Sequence, residues 1–171
     1  MKYIGLLLFI VSFQSISASV PSYLTIQKTD NMFINTHYDD IRTIRTILTP
    51  ADCLTINAYH EGRGESDKGI KAIIGVVMNR KYDKRFTDTY CGVIFQRKQF
   101  SWINDHLSDK IFNIEKYKHI RKIVQYSLQN ENYVRSLSNY SAFYATNSAR
   151  PYWTKIFVRV VVIGNHSFYK G

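Results

Sequence analysis

The sequence predicts one α+β domain, mostly helical, with a small antiparallel sheet or hairpin near its C-terminus. Three observations carry that expectation. Apolar residues recur at helical spacing between about residues 50 and 128. Beyond about residue 142 the pattern turns β-branched and alternating. Between two strand-like runs stands Gly164-Asn165, a two-residue signal for a tight hairpin. A chain of 171 residues suffices for one such domain with its own hydrophobic core, and no Pro/Gly-rich linker, repeat or low-complexity tract marks a second one.

The N-terminus is of another kind. Lys2 supplies a positive start, Ile4 to Val11 is an almost unbroken apolar run, and Ser15, Ser17, Ala18 and Ser19 are small. Residues 1–19 therefore have the layout of a secretory signal peptide, or of a signal anchor if left uncleaved. Export to the periplasm, cell wall or extracellular space is expected, with transient membrane association through this segment. Residues 20–48 show no clean period and predict an extended arm, with a short helical turn over 39–48. The domain proper is expected over residues 49–171.

Thr49-Pro50-Ala51-Asp52 predicts a helix start: Thr49 suits the N-cap, Pro50 the first helical position and Asp52 the positive end of the dipole. Leu54, Ala58 and Glu61 follow at i, i+4 and i+7, with Gly62 and Gly64 expected to break the helix. Ile70, Ile73, Ile74, Val77 and Met78 predict a second helix over about 66–80. A polar loop over 82–90, a short apolar piece at 93–95 and an extended stretch at 99–102 come next. Ile114 to Leu128 predicts a third helix. Strands are expected over 142–145, 157–163 and 166–169.

The formal charge of +10 and pI near 9.6 draw the surface to something anionic: nucleic acid, an acidic membrane or an acidic wall polymer. Export would separate the chain from nucleic acid, so none is expected as a partner. Two cysteines, Cys53 and Cys91, in an exported protein predict one disulfide. No cofactor or metal is expected. His60-Glu61 lacks the second His that a zinc-protease helix carries four residues after the first, because Gly64 stands there.

The densest chemistry lies in Tyr59-His60-Glu61-Gly62-Arg63-Gly64-Glu65. A carboxyl half-buried at a helix end loses hydration of its charged form, so its pKa rises and it can donate a proton near neutral pH. Glycosidic cleavage needs such an acid. The plainer readings of Glu61 are a surface pair with Arg63 or no role at all.

Asp52-Cys53-Leu54, Tyr59 and Glu61-Gly62-Arg63-Gly64-Glu65 resemble the start of the SleB/CwlJ-type cell-wall hydrolase family, whose motif reads Glu-Ala-Arg-Gly-Glu. The resemblance continues through Val76 to Arg80, Cys91 to Gln96, Gln99 to Trp102 and Ile163 to Tyr169, in that order. It implies a lysozyme-like fold and cleavage of peptidoglycan glycan strands between N-acetylmuramic acid and N-acetylglucosamine; the chain is expected to be a monomer. Glu61 would be the catalyst, with Gln99, Ser101 and Trp102 lining the groove and Trp102 stacking on a sugar. Tyr144 and His166 match polar positions near the family's cleft. A lytic transglycosylase needs one acid/base. A hydrolytic muramidase needs a second carboxylate, for which Glu65 is the nearest; otherwise Glu65 holds the turn through backbone donors or Arg63. The remaining alternative is a non-catalytic basic protein that binds wall polymer. Gly62 departs from the family's Ala.

Overall fold

The structure, a computed structural model, describes residues 48–103, 105 and 109–171. The expected leader, and all of the arm and its helical turn but their last residue, Leu48, lie outside the described residues.

Helix α1 (Pro50–Gly62) starts where the sequence places it. The Thr49 hydroxyl accepts from the Asp52 amide at 3.2 Å, and the Asp52 carboxylate accepts from the Thr49 amide at 2.9 Å, a reciprocal capping box. Every residue from Asp52 to Tyr59 is buried. The single inward stripe expected of α1 is therefore replaced by burial on all sides, against helices α2 (Asp67–Lys81), α3 (Tyr90–Phe95) and α4 (Ile114–Gln129). Buried polar groups need partners, and these have them. Asp52 meets Arg121 of α4 at 2.9 Å, and Asn57 accepts from the Trp102 indole N–H at 3.0 Å. The Cys53–Cys91 disulfide ties α1 to α3 with the Cα atoms 5.3 Å apart.

Gly62 does not break α1. It is buried inside the last turn, where a Cβ would stand 3.0 Å from Ile73 of α2, so its smallness serves packing. Ser66 caps α2 by accepting from the Gly69 amide, and Ile70, Ile73, Ile74, Val77 and Met78 are all buried, as their spacing predicts. The apolar piece at 93–95 is the end of α3 rather than a separate segment. The stretch expected to be extended contains a 3-10 turn over Ser101–Ile103, which turns Trp102 inward to Asn57. A short helix that the sequence reading lacks, α5 (Glu131–Leu137), packs on α2. Gly75 permits that approach: a Cβ there would lie 2.5 Å from the Val134 carbonyl oxygen.

The sheet has strands β1 (Phe143–Thr146), β2 (Val158–Ile163) and β3 (His166–Lys170) in the order β1-β3-β2, both pairs antiparallel. Gly164 in the β2–β3 turn has φ 56°, a left-handed conformation that glycine adopts without strain. As the central strand, β3 is buried from His166 through Tyr169, so its alternating sequence does not give alternating exposure. Among the described residues no helix is long and apolar enough to cross a membrane.

Candidate active-site cleft

The end of α2 fixes where β1 runs. Asn79 donates to the Ser141 carbonyl at 2.9 Å and the Ser138 hydroxyl at 3.2 Å, and accepts from Arg135 Nε at 2.9 Å. Arg80 Nε donates to the Ala142 carbonyl at 2.7 Å. These two residues pin the backbone entering β1. Two residues later β1 delivers Tyr144, whose hydroxyl donates to Glu61 Oε2 at 2.7 Å. Helix α1 and strand β1 thus meet at one carboxyl.

Glu61 lies at the junction of two cavities. One, of about 390 Å³, is lined by Glu61, Arg80, Lys98, Gln99, Phe100 and Tyr144, with Ser101 at its edge. The other, of about 440 Å³, shares Glu61 and Ser101 with the first and has His60, Arg63, Trp102, Asp109 and Phe112 among its walls. The same carboxyl borders both, so the cavities form one cleft passing over Glu61. Burial raises the Glu61 carboxyl above its ordinary 4.5; the Tyr144 hydrogen bond and the Arg80 charge oppose that rise without cancelling it. The Tyr144 phenol is pushed well above its ordinary value, first by burial and then by the Glu61 charge, so it remains a hydrogen-bond donor at any working pH.

The other expected site residues divide. Gln99 and Ser101 line the cleft. Trp102 also touches it, but only 5% of the residue is exposed, and its ring stacks on His60 with centroids 4.6 Å apart. One aromatic face is therefore taken by the protein itself. Glu65 lines neither cavity. Its carboxylate accepts from the Asn165 amide at 3.3 Å, stands 3.4 Å from His166 Nδ1 and fills the space under Gly164. It anchors the β2–β3 turn through a backbone donor, and pairs with His166 rather than Arg63. His166 is buried behind Tyr144, ring edge to ring face at 5.3 Å, and does not line the cleft. Burial lowers its pKa while Glu65 pulls it back up.

Sequence reasoning placed Arg80 only within the family-like block Val76 to Arg80 and assigned nothing to Phe112 or Asp109. Arg80 continues the buried stripe of Ile73 and Val77 by one further turn, so a charge at a core position was its available signal. Phe112 is 76% exposed beside the second cavity. Asp109 is buried, and burial together with the charge of Asp105 pushes its carboxyl up to about 6. His60 falls to about 4, first through burial and then through Arg63, so it is neutral at physiological pH. Neither Phe112 nor Asp109 belongs to a recognisable spacing. Among the described residues no group of three or more His, Cys, Asp or Glu side chains is placed to hold a metal ion.

Residues 64–169, well over half of the chain, match the model of the cell wall hydrolase family. The chain belongs to that family. It is accordingly a peptidoglycan-cleaving enzyme that acts outside the cytoplasm. The hydrolase is similar to the catalytic domain of the germination-specific lytic transglycosylase SleB of Bacillus anthracis: 24% identity, TM-score 0.58, over 71% of this chain and 93% of that one. It is also similar to the catalytic domain of the Bacillus cereus SleB protein, with 25% identity and TM-score 0.51 over 71% and 90%. No curated protein sequence matches it significantly. Within the hydrolase, Arg80, Gln99 to Trp102 and Tyr144 fall inside the matched stretch, whereas Glu61 lies just ahead of it.

Proposed function

We propose that the enzyme cuts glycan strands between N-acetylmuramic acid and N-acetylglucosamine as a lytic transglycosylase, with Glu61 as its single acid/base. The observation that carries this reading is one half-buried carboxyl, with raised pKa, at the junction of two cavities that can each take a sugar. Tyr144 occupies Oε2 and leaves Oε1 to hold the proton. Glu61 donates that proton to the glycosidic oxygen as the bond from muramoyl C1 breaks. The resulting carboxylate then takes the proton of the muramoyl C6 hydroxyl as that oxygen closes on C1. The acid is restored, the product end is a 1,6-anhydro sugar and no water is consumed. Phe112, exposed beside the second cavity, offers the sugar-stacking face that Trp102 has given to His60.

One observation favours a second reading, hydrolysis. Asp109 lines the cavity that Glu61 also borders, and a carboxylate there could activate water, as the hydrolytic route requires. Glu65, committed to the hairpin, does not fit that role. Mass analysis of muropeptides released from purified sacculi separates the two: anhydro ends support transglycosylation, and reducing ends throughout would contradict it.

A further inference from the structure

Arg80 holds more hydrogen-bonding capacity than the fold uses. It is only 6% exposed, and its Nε is committed to the Ala142 carbonyl. Its guanidinium carbon lies 5.2 Å and 5.1 Å from the ring centroids of Phe86 and Phe100. Among the described residues its Nη1 has no hydrogen-bond partner, although it is buried and the residue lines the cavity on one side of Glu61. A buried charged donor left unmatched is costly. The nearby Glu61 carboxyl does not supply a lasting counter-charge, because in the state ready to donate a proton it is neutral. Lys98, exposed at the rim of the same cavity, adds a second cation. Among the described residues, the remaining walls of that cavity bring no other carboxylate. The second cavity is mixed in charge, with Asp105 and Asp109 as well as Arg63 and Lys110 among its walls.

We propose that Arg80 and Lys98 form a carboxylate-binding subsite beside Glu61, which seats the acidic substituent of the muramoyl unit at the bond to be cut. This rests on the glycan-cleaving reading above and adds the direction in which the strand lies: muramoyl acid toward Arg80, its neutral neighbour toward Asp109. It also couples binding to chemistry. The Arg80 charge favours the ionised form of Glu61. A substrate carboxylate on Arg80 offsets that charge, so Glu61 holds its proton to higher pH when the correct strand is bound. The titratable and charged groups that share a cavity with Glu61 and enter this balance are Tyr144, Arg80 and Lys98 in the first, and His60, Arg63, Asp105, Asp109 and Lys110 in the second.

The test uses the whole exported chain and three soluble glycan strands. One carries stem peptides, one is stripped by an amidase to free lactyl carboxylates, and one is stripped and then amidated to neutrality. KM and kcat are measured against pH. The wild-type enzyme should show a KM about tenfold higher for the amidated strand, and the alkaline limb of its kcat profile should move to lower pH on that strand. Lys98→Glu should raise KM for the charged strands and not for the amidated one. Arg80→Gln is read beside its melting curve because Nε also holds β1; Lys98, being exposed, carries the test. Stripped strands cut better than stem-bearing ones, in which the lactyl carboxyl is tied up as an amide, identify the lactyl carboxylate as the ligand, and equal cutting of the two shows that either carboxylate fills the subsite. Stripped strands cut as poorly as amidated ones identify a stem carboxylate. An unchanged KM for the amidated strand, together with no effect of Lys98→Glu, would overturn the subsite while leaving cleavage intact. Failure to cut any strand would sink the cleavage reading and the subsite with it.

Discussion

Two carboxyl groups four residues apart, at the two ends of one short loop, meet opposite fates. Glu61 faces the cleft, receives one hydrogen bond from Tyr144 of β1 and borders cavities on both sides. Glu65 faces the hairpin, where the Asn165 amide donates to one oxygen, His166 Nδ1 stands 3.4 Å from the other and Gly164 closes over it. Both are withdrawn from water, and both are met by a side chain of the same sheet. Burial alone therefore does not make a catalyst. What separates them is access: one oxygen of Glu61 remains free beside space for substrate, while Glu65 is consumed in holding a turn.

Exchanging each carboxyl for an amide is the largest lever on that contrast. Glu61→Gln should lower kcat by about a thousandfold, the scale of losing a positioned acid/base. Glu65→Gln should leave kcat within about tenfold of wild type while costing about 1–3 kcal/mol of stability, seen in denaturant melts. Stability against pH should differ as well. Because the folded-state pKa of Glu61 is raised, its contribution is fully present below the unfolded pKa and is lost as pH rises through the folded one. Glu61→Gln should thus melt above wild type at neutral pH, with the gap closing in acid.

Tyr144→Phe comes next in size. Its hydroxyl favours the Glu61 carboxylate, so its loss should raise the Glu61 pKa further and shift the alkaline limb of the kcat/KM profile to higher pH. A fall in kcat of about tenfold should accompany the shift, since the carboxyl also loses its orientation. His166→Asn, on the Glu65 side, should weaken the hairpin without moving that limb. A shifted limb in the His166 variant would break the division between the two regions. The smallest expected change is Phe112→Ala, which should raise KM about threefold to tenfold through lost stacking and leave the melting temperature nearly unchanged because the ring is exposed.

Local signals made much of this legible. The Thr49 N-cap, the buried stripe of α2, the Gly164-Asn165 turn and the Cys53–Cys91 pairing depend on residues close in sequence or on simple counting, and each is found where expected. Gln99 and Ser101 also reach the cleft. What stayed hidden depends on packing between distant segments. Burial of α1 on all sides follows from three neighbours, which no single helical stripe announces. Trp102 turned out to be covered because His60 stacks on it. The Asn79 and Arg80 side chains act on backbone carbonyls some sixty residues away, a contact for which the sequence carries no spacing. Helix α5 is short and polar, and its reason for forming lies in the close approach to Gly75 of α2.

The most direct test is a pH titration of the enzyme with its glutamate side-chain carboxyls labelled for NMR, assigned by the signal missing in Glu61→Gln. The account predicts that the Glu61 carboxyl titrates clearly above its ordinary value of 4.5 and moves higher still when Tyr144 is replaced by Phe. A Glu61 signal that titrates at or below that value, and is indifferent to Tyr144, would contradict it.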